Sequence, residues 1–234
     1  MMLTNLIMLP LIFNLPVTDE PEFREVLPGI RVVEGIVEFD GVIAIDAHHP
    51  DTPYVYLEMF ITAPDSREHE SLIVSKIKAS NLHAGLLAAG FESGSPITRE
   101  ESGEPVAAHG DPLRITVALE DRPDHFIPIT DWVMRVDSEL ALIESEQWGG
   151  LVFAGSKFTQ RGYEADGTGT LVSLTSFGDE VIAPTWTLSH LAEIDEPVWI
   201  ANRDRIPTKN TPVIVRIERD ESHEPERVDI DRDP

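Results

Sequence analysis

Tyr54-Val55-Tyr56-Leu57-Glu58-Met59-Phe60-Ile61 is followed, past Pro64-Asp65, by Arg67-Glu68-His69-Glu70-Ser71 and then by Leu72-Ile73-Val74. Val55, Leu57, Met59 and Ile61 alternate with Tyr54, Tyr56, Glu58 and Phe60. A period of two marks a strand, and a strand apolar on both faces belongs at the centre of a sheet covered on both sides. Glu58 breaks the pattern. A carboxylate at that place lies at an opening or has a partner, because burying it alone is costly. Residues 72–74 read as a second strand. Ser80 or Asn81 then caps a helix that runs to Ala89, with Leu82, Leu86 and Ala89 on one face. Gly90 suits the left-handed position after that helix, and Phe91 can reach Leu86 across the cap.

The same texture extends outward. Residues 30–33, 36–39 and 42–45 are short apolar runs punctuated by Gly35 and by Asp40-Gly41, and Asp-Gly between strands signals a tight hairpin. Residues 113–119, 127–136, 151–153, 171–174, 198–201 and 213–217 read as further strands, and residues 163–167 as a strand end and turn. Residues 19–27 and 92–111 are rich in loop-forming residues. Residues 138–147 admit a second short helix. The expected fold is α+β and β-rich, with mostly antiparallel sheets and one clear short helix at about 80–90. It is expected as one domain over 28–217, with a sub-boundary conceivable near 139–147. An apolar segment and linker precede it at 1–27, and an acidic disordered tail follows at 218–234.

The formal net charge of −24 over 234 residues disfavours a nucleic-acid partner and anionic membrane surfaces. The partner expected is an unidentified protein or small molecule. The chain has no cysteine, which excludes disulfides, thiolate metal sites, thiol nucleophiles and cysteine-ligated iron–sulfur clusters. Residues 1–17 resemble a signal peptide only in part. No Lys or Arg precedes Arg24 and no Ala precedes Ala44, so the basic start and the small-residue cleavage site are missing. The run is too short and too broken by Asn5, Pro10 and Asn14 for an integral membrane span.

P-loop, dinucleotide, H-E-x-x-H, nucleophile-elbow and EF-hand patterns are absent. The candidate binding residues are Glu58, Arg67, His69, Glu70 and His83, with Ser71 beside them. His69, His83 and Glu58 have the donors for a divalent metal, with Glu70 as a further carboxylate, and a histidine beside carboxylates can act as a general base. On a strand, however, His69 and Glu70 point to opposite faces. The structural alternative pairs Arg67 with Glu58 or Glu70, gives His69 a backbone bond in the turn, and leaves His83 packed at the edge of the helix's apolar face. It is the preferred reading, and no cofactor is expected. His48, His49 and Asp51 read as a solvated loop, and Trp132, Trp148, Trp186 and Trp199 as core. His125 and His190 have no constellation near them in sequence.

Val37-Glu38-Phe39-Asp40-Gly41, Leu57-Glu58, Arg67-Glu68-His69-Glu70-Ser71-Leu72 and His83-Ala84 with Leu86 and Gly90 resemble the YdjY-domain family. Trp148 with Leu151-Val152-Phe153-Ala154-Gly155-Ser156 and Phe158, then Tyr163, Asp166, Gly169, Ser173-Leu174 and Phe177, resemble its extended bacterial members. The resemblance implies an exported protein of unassigned chemistry. Some relatives are labelled ferredoxins for their cysteine clusters, a role that no position of this cysteine-free chain can inherit. The function expected is therefore a non-enzymatic, extracytoplasmic binding or structural module, and the alternative is a divalent-metal-binding protein or enzyme using Glu58, His69, Glu70 and His83.

Overall fold

The computed structural model describes residues 22–223 apart from Pro53, Glu101 and Gln147. The first half forms β1 (Arg24–Leu27), β2 (Ile30–Val33), β3 (Ile36–Ile43), β4 (Met59–Thr62), β5 (Ser71–Val74), helix α1 (Ala79–Ala88), the small hairpin β6 (Thr98–Arg99) and β7 (Pro105–Val106), and β8 (Pro112–Leu119). The second half forms β9 (Ile127–Pro128), β10 (Val133–Arg135), β11 (Leu151–Phe153), β12 (Phe158–Thr159), β13 (Gly162–Tyr163), helix α2 (Glu164–Thr168), β14 (Thr170–Ser173), β15 (Ile182–Pro184), β16 (Trp199–Ala201) and β17 (Pro212–Arg219).

Eight of these strands close a barrel in the order β3-β17-β8-β11-β15-β14-β4-β5, and β5 pairs back onto β3. Closure removes the unpaired edges that an open sheet would expose. The chain is β-rich, as expected, but the barrel is mixed: β4 runs parallel to β5 and β14 parallel to β15, while the other neighbours are antiparallel. On the long strands the inward row is apolar and in register. Phe39 lies opposite Val215, which lies opposite Val117, and Val37, Ile217 and Ile115 repeat the layer. The outward row between them is polar. Arg216 Nε donates to Glu38 Oε1 at 2.8 Å, and its guanidinium lies 3.9 Å from the centre of the Phe126 ring.

The parallel pairs explain the opening stretch. Parallel neighbours ordinarily need a crossover of about a dozen residues or more. Here residues 63–70 suffice, because Glu68–Glu70 tighten into a 3₁₀ turn. That turn is pinned at both ends: Glu70 N–H and the Ser71 hydroxyl both donate to Arg67 O, and Glu58 N–H donates to Glu70 O.

α1 packs on β2, β3 and β14. Its contact with β2 is close enough that a Cβ on Gly85 would lie 2.6 Å from Ile30 Cγ2. The helix ends as the sequence indicates. Gly90 takes φ +94°, its N–H bonds Leu87 O, and Phe91 N–H bonds Leu86 O, the paired bonds of a Schellman end. Its start differs. Lys78, not Ser80 or Asn81, occupies the capping position, and Asp166 from α2 accepts both the Ser80 N–H at 2.8 Å and the Ser80 hydroxyl at 2.6 Å.

Several other expectations are corrected. Asp40-Gly41 makes no hairpin, and β3 runs straight through it because β17 pairs continuously from Ile36 to Val42. Gly41 is needed for clearance instead: a Cβ there would lie 2.5 Å from Ile73 Cγ2 on β5. The strand expected at 54–61 begins only at Met59, and Tyr54 and Tyr56 are exposed. Among the described residues of 138–147 the helical structure is the 3₁₀ turn Leu142–Glu144, whereas α2 forms where a strand end and turn were expected. Residues 127–136 divide into β9, a 3₁₀ turn at Ile129–Trp132 and β10. The loop at 92–111 carries the β6–β7 pair. Residues 24–27 are strand rather than linker, and residues 218–219 belong to β17 rather than a disordered tail. The expectations for 1–21 and 224–234 fall outside the described residues. Among those described, no helix is long and apolar enough to cross a membrane.

Candidate functional site

Glu58 precedes β4 and Glu70 precedes β5, so the parallel pairing sets the two carboxylates side by side at one end of the barrel. Each is followed by apolar strand, which leaves the carboxyls at the margin of the core. Glu58 is pushed up to about 7, first by burial, then by the neighbouring Glu70 charge, against the opposing pull of Arg67. Arg67 Nε lies 3.5 Å from Glu70 Oε1 and His69 Nε2 lies 3.6 Å from Glu70 Oε2. The His69 side chain is 81% exposed, so the backbone bond expected for it is not made and water screens its contact with Glu70.

The structure thus gathers Glu58, Arg67, His69, Glu70 and Ser71, and it separates His83 from them. His83 lies on α1, beyond the opposite end of β5. Its Nδ1 shares a 2.8 Å hydrogen bond with the Tyr163 hydroxyl, and its ring meets Phe153 and Tyr163 edge-on. Burial lowers the His83 pKa, which keeps the ring neutral, and raises that of Tyr163. A tyrosine so raised is no nucleophile, and the pair serves to dock α1 against the chain after β11. Among the described residues, no three His, Asp or Glu side chains gather as metal ligands would. Trp132 and Trp199 are buried, as core residues should be, and Trp186 stacks obliquely between Trp148 and Trp199. His48 donates from Nε2 to Ile206 O, which ties its loop to a distant turn, and His49 Nδ1 accepts Asp51 N–H within the loop.

What sequence reasoning missed is the second partner of Arg67, an aromatic ring. The second short crossover, residues 174–181 between β14 and β15, meets the first at this end of the barrel, since Leu174 and Thr175 N–H both donate to Glu58 O. It brings Phe177 under Arg67, with the guanidinium carbon 4.2 Å from the ring centre. His190 also stacks on Phe177, at 4.4 Å with the planes 22° apart. His190 Nδ1 donates to Ser176 O, which fixes the ring and its tautomer. Arg67, Phe177 and His190 therefore form one stack, and Phe177 and His190 line a cleft of about 700 Å³. The cleft lies between the β6–β7 hairpin, the 176–179 turn and the 187–195 loop, and Lys157 and Glu164 also line it. Beneath the turn, Glu180 is fully buried. Its Oε2 accepts Gly178 N–H at 2.6 Å and Asp179 N–H at 2.9 Å, and burial pushes its carboxyl up to about 7. No spacing in the sequence links His190 to Arg67. A cue did exist in Phe177-Gly178-Asp179-Glu180, a turn-forming stretch ending in an acid that directly precedes a β-branched run.

A family model described as the YdjY domain matches residues 33–218, most of the chain. The chain belongs to the YdjY-domain family. The match starts at the end of β2 and stops inside β17, so the YdjY domain spans all eight barrel strands, both crossovers and the cleft. No curated protein and no solved structure matches the chain.

Proposed function

We propose that this YdjY-domain protein is a non-enzymatic, extracytoplasmic binding module whose ligand seats in the cleft beside Phe177. The observation that carries this reading is the stack of Arg67, Phe177 and His190 at the cleft wall, which holds the wall rigid. A concave, pre-formed site of about 300–1,000 Å³ is the usual setting for a small ligand. The polar residues chosen from the sequence support a binding role over catalysis because their contacts lock the backbone. Ser71 closes the crossover on Arg67 O, and Arg67 itself is held between Glu70 and Phe177. The metal-dependent alternative draws no support from His83, which is committed to Tyr163. Placement outside the cytoplasm draws on the apolar stretch at 1–17 and on the exported character that the family resemblance implies.

The test is a thermal-shift screen of amino acids, sugars, nucleotides and lipids on the wild type and on Thr187→Trp. Thr187 is exposed and lines the cleft, so the indole fills the site without disturbing the core. The expected result is a compound that raises the melting temperature of the wild type and not of the variant, with equal melting of the two free proteins. A shift that survives Thr187→Trp, or no shift from any compound class, overturns the reading.

A further inference from the structure

The cleft is lined by charged groups of both signs. Several arginines elsewhere on the surface are matched: Arg31 with Asp40, Arg114 with Glu218, Arg135 with Asp137, Arg205 with Asp131 and Arg219 with Asp111. Of two other concavities of similar size, the one of about 630 Å³ beside the ends of β8 and β17 has two of these pairs at its rim, and the one of about 640 Å³ beside Gly41 is lined mainly by apolar residues with Glu68 and Lys76. In the Phe177 cleft, Lys157, Glu164 and Asp179 make no ion pair with any described residue, and Asp179 Oδ1 has no hydrogen-bond partner. Yet cation and acid are neighbours. Lys157 Nζ reaches over the turn to within 3.9 Å of the point where a Gly178 Cβ would stand. Opposite charges that line one cleft and make no ion pair are complementary to a ligand that carries both signs.

The remainder of the lining narrows the chemistry. Leu191 and Ile194 are 45% and 57% exposed and both line the cleft, so an apolar surface is offered beside the charges. Phe177 already stacks with Arg67 and His190, so its ring serves as a wall of the cleft. Glu164, Asp179 and Asp195 offset Lys157 and Arg99, so the cleft carries no excess of cation for a phosphate.

We propose that the cleft binds a zwitterion with an apolar side chain, a free hydrophobic amino acid or a short peptide, with its carboxylate on Lys157, its ammonium on Asp179 and Glu164, and its side chain against Leu191 and Ile194. The proposal rests on the cleft being the ligand site. Glu180 adds a signature. Its carboxyl, pushed up to about 7 by burial, lies under the same turn, and an ammonium bound above it favours the ionised form, so binding near pH 7 releases protons.

The experiment is calorimetric titration of the full chain with leucine, leucyl-leucine, N-acetyl-leucine and leucine amide, repeated in two buffers of different ionisation enthalpy. Leucine or leucyl-leucine is expected to bind with proton release, and whichever is tighter identifies the free amino acid or the peptide as the source. N-acetyl-leucine and leucine amide each lack one charge and are expected to bind at least about tenfold more weakly. Lys157→Glu and Asp179→Asn, at positions outside the core, are expected to melt like the wild type and to lose about tenfold or more in affinity for the tighter ligand. Equal affinity for the blocked compounds, or affinity unchanged in both variants, overturns the proposal. If the screen instead finds a ligand of another class that Thr187→Trp excludes, the zwitterion proposal falls and the cleft reading stands. If nothing binds, both fall.

Discussion

Glu58 shows how a single carboxyl links the crossover to pH. Its folded pKa of about 7 lies above the ordinary 4.5, so the folded protein keeps this proton where the unfolded chain has lost it. The contribution to stability is therefore full below about pH 4.5 and is lost as pH rises towards about 7. Glu180 acts in the same direction over the same window. Glu58→Gln removes the first titration, keeps a group that can hydrogen-bond Glu70, and leaves the second in place. Urea unfolding at pH 5 and pH 8 should show the loss of stability between them reduced by about 1 kcal/mol in the variant, well below a full conversion of the shift because the carboxyl is only half removed from water. An unchanged difference between the two pH values would mean that burial and Glu70 do not raise the Glu58 pKa in solution. The sequence revealed that Glu58 was out of place among apolar neighbours. It did not reveal which carboxylate would stand beside it, because that depends on parallel pairing of β4 with β5, and period-two alternation reads the same in either orientation.

At the scale of elements, α1 and α2 depend on each other. The first turn of a helix leaves backbone N–H groups without partners, and here the acceptor comes from a residue far along the chain, Asp166, rather than from the capping residue. Asp166→Ala should cost about 1–2 kcal/mol in urea unfolding, more than Asn81→Ala, and should loosen hydrogen exchange in the first turn of α1. If Asn81→Ala proved the more damaging change, the cap would be local after all. The end of this helix was legible because Gly90 and Phe91 act within one turn of it. The start was not, because its cap is tertiary. For the same reason the Asp40-Gly41 hairpin failed. Glycine signals both a turn and a close approach, and only the arrival of Ile73 against Gly41 decides between them. His190 was illegible too: its role exists only once the 174–181 crossover has folded over the end of the barrel.

Across the whole molecule, the order of the barrel strands makes the two halves of the chain inseparable. The first half contributes β3, β4, β5 and β8, and the second contributes β11, β14, β15 and β17. Within the first half β4, β5 and β3 are neighbours, but β8 is cut off from β3 by β17, which bonds both along its length. Within the second half β11, β15 and β14 are neighbours, and β17 has no partner of its own half. The first fragment would keep β1, β2, β3, β5 and β4 with β3 open where β17 belongs and β8 holding only β9, and the second would be a three-stranded piece with β17 unpaired, so the Phe39–Val215–Val117 layer would be exposed to water. Neither fragment, residues 22–146 nor residues 148–223, should therefore unfold cooperatively, and equimolar mixing should restore a sharp urea transition and the near-ultraviolet signal of packed Trp132 and Trp199. Cooperative folding of either fragment by itself would show two autonomous domains, and the Phe177 cleft, whose walls come from both halves, would then lose the single rigid frame on which ligand capture depends.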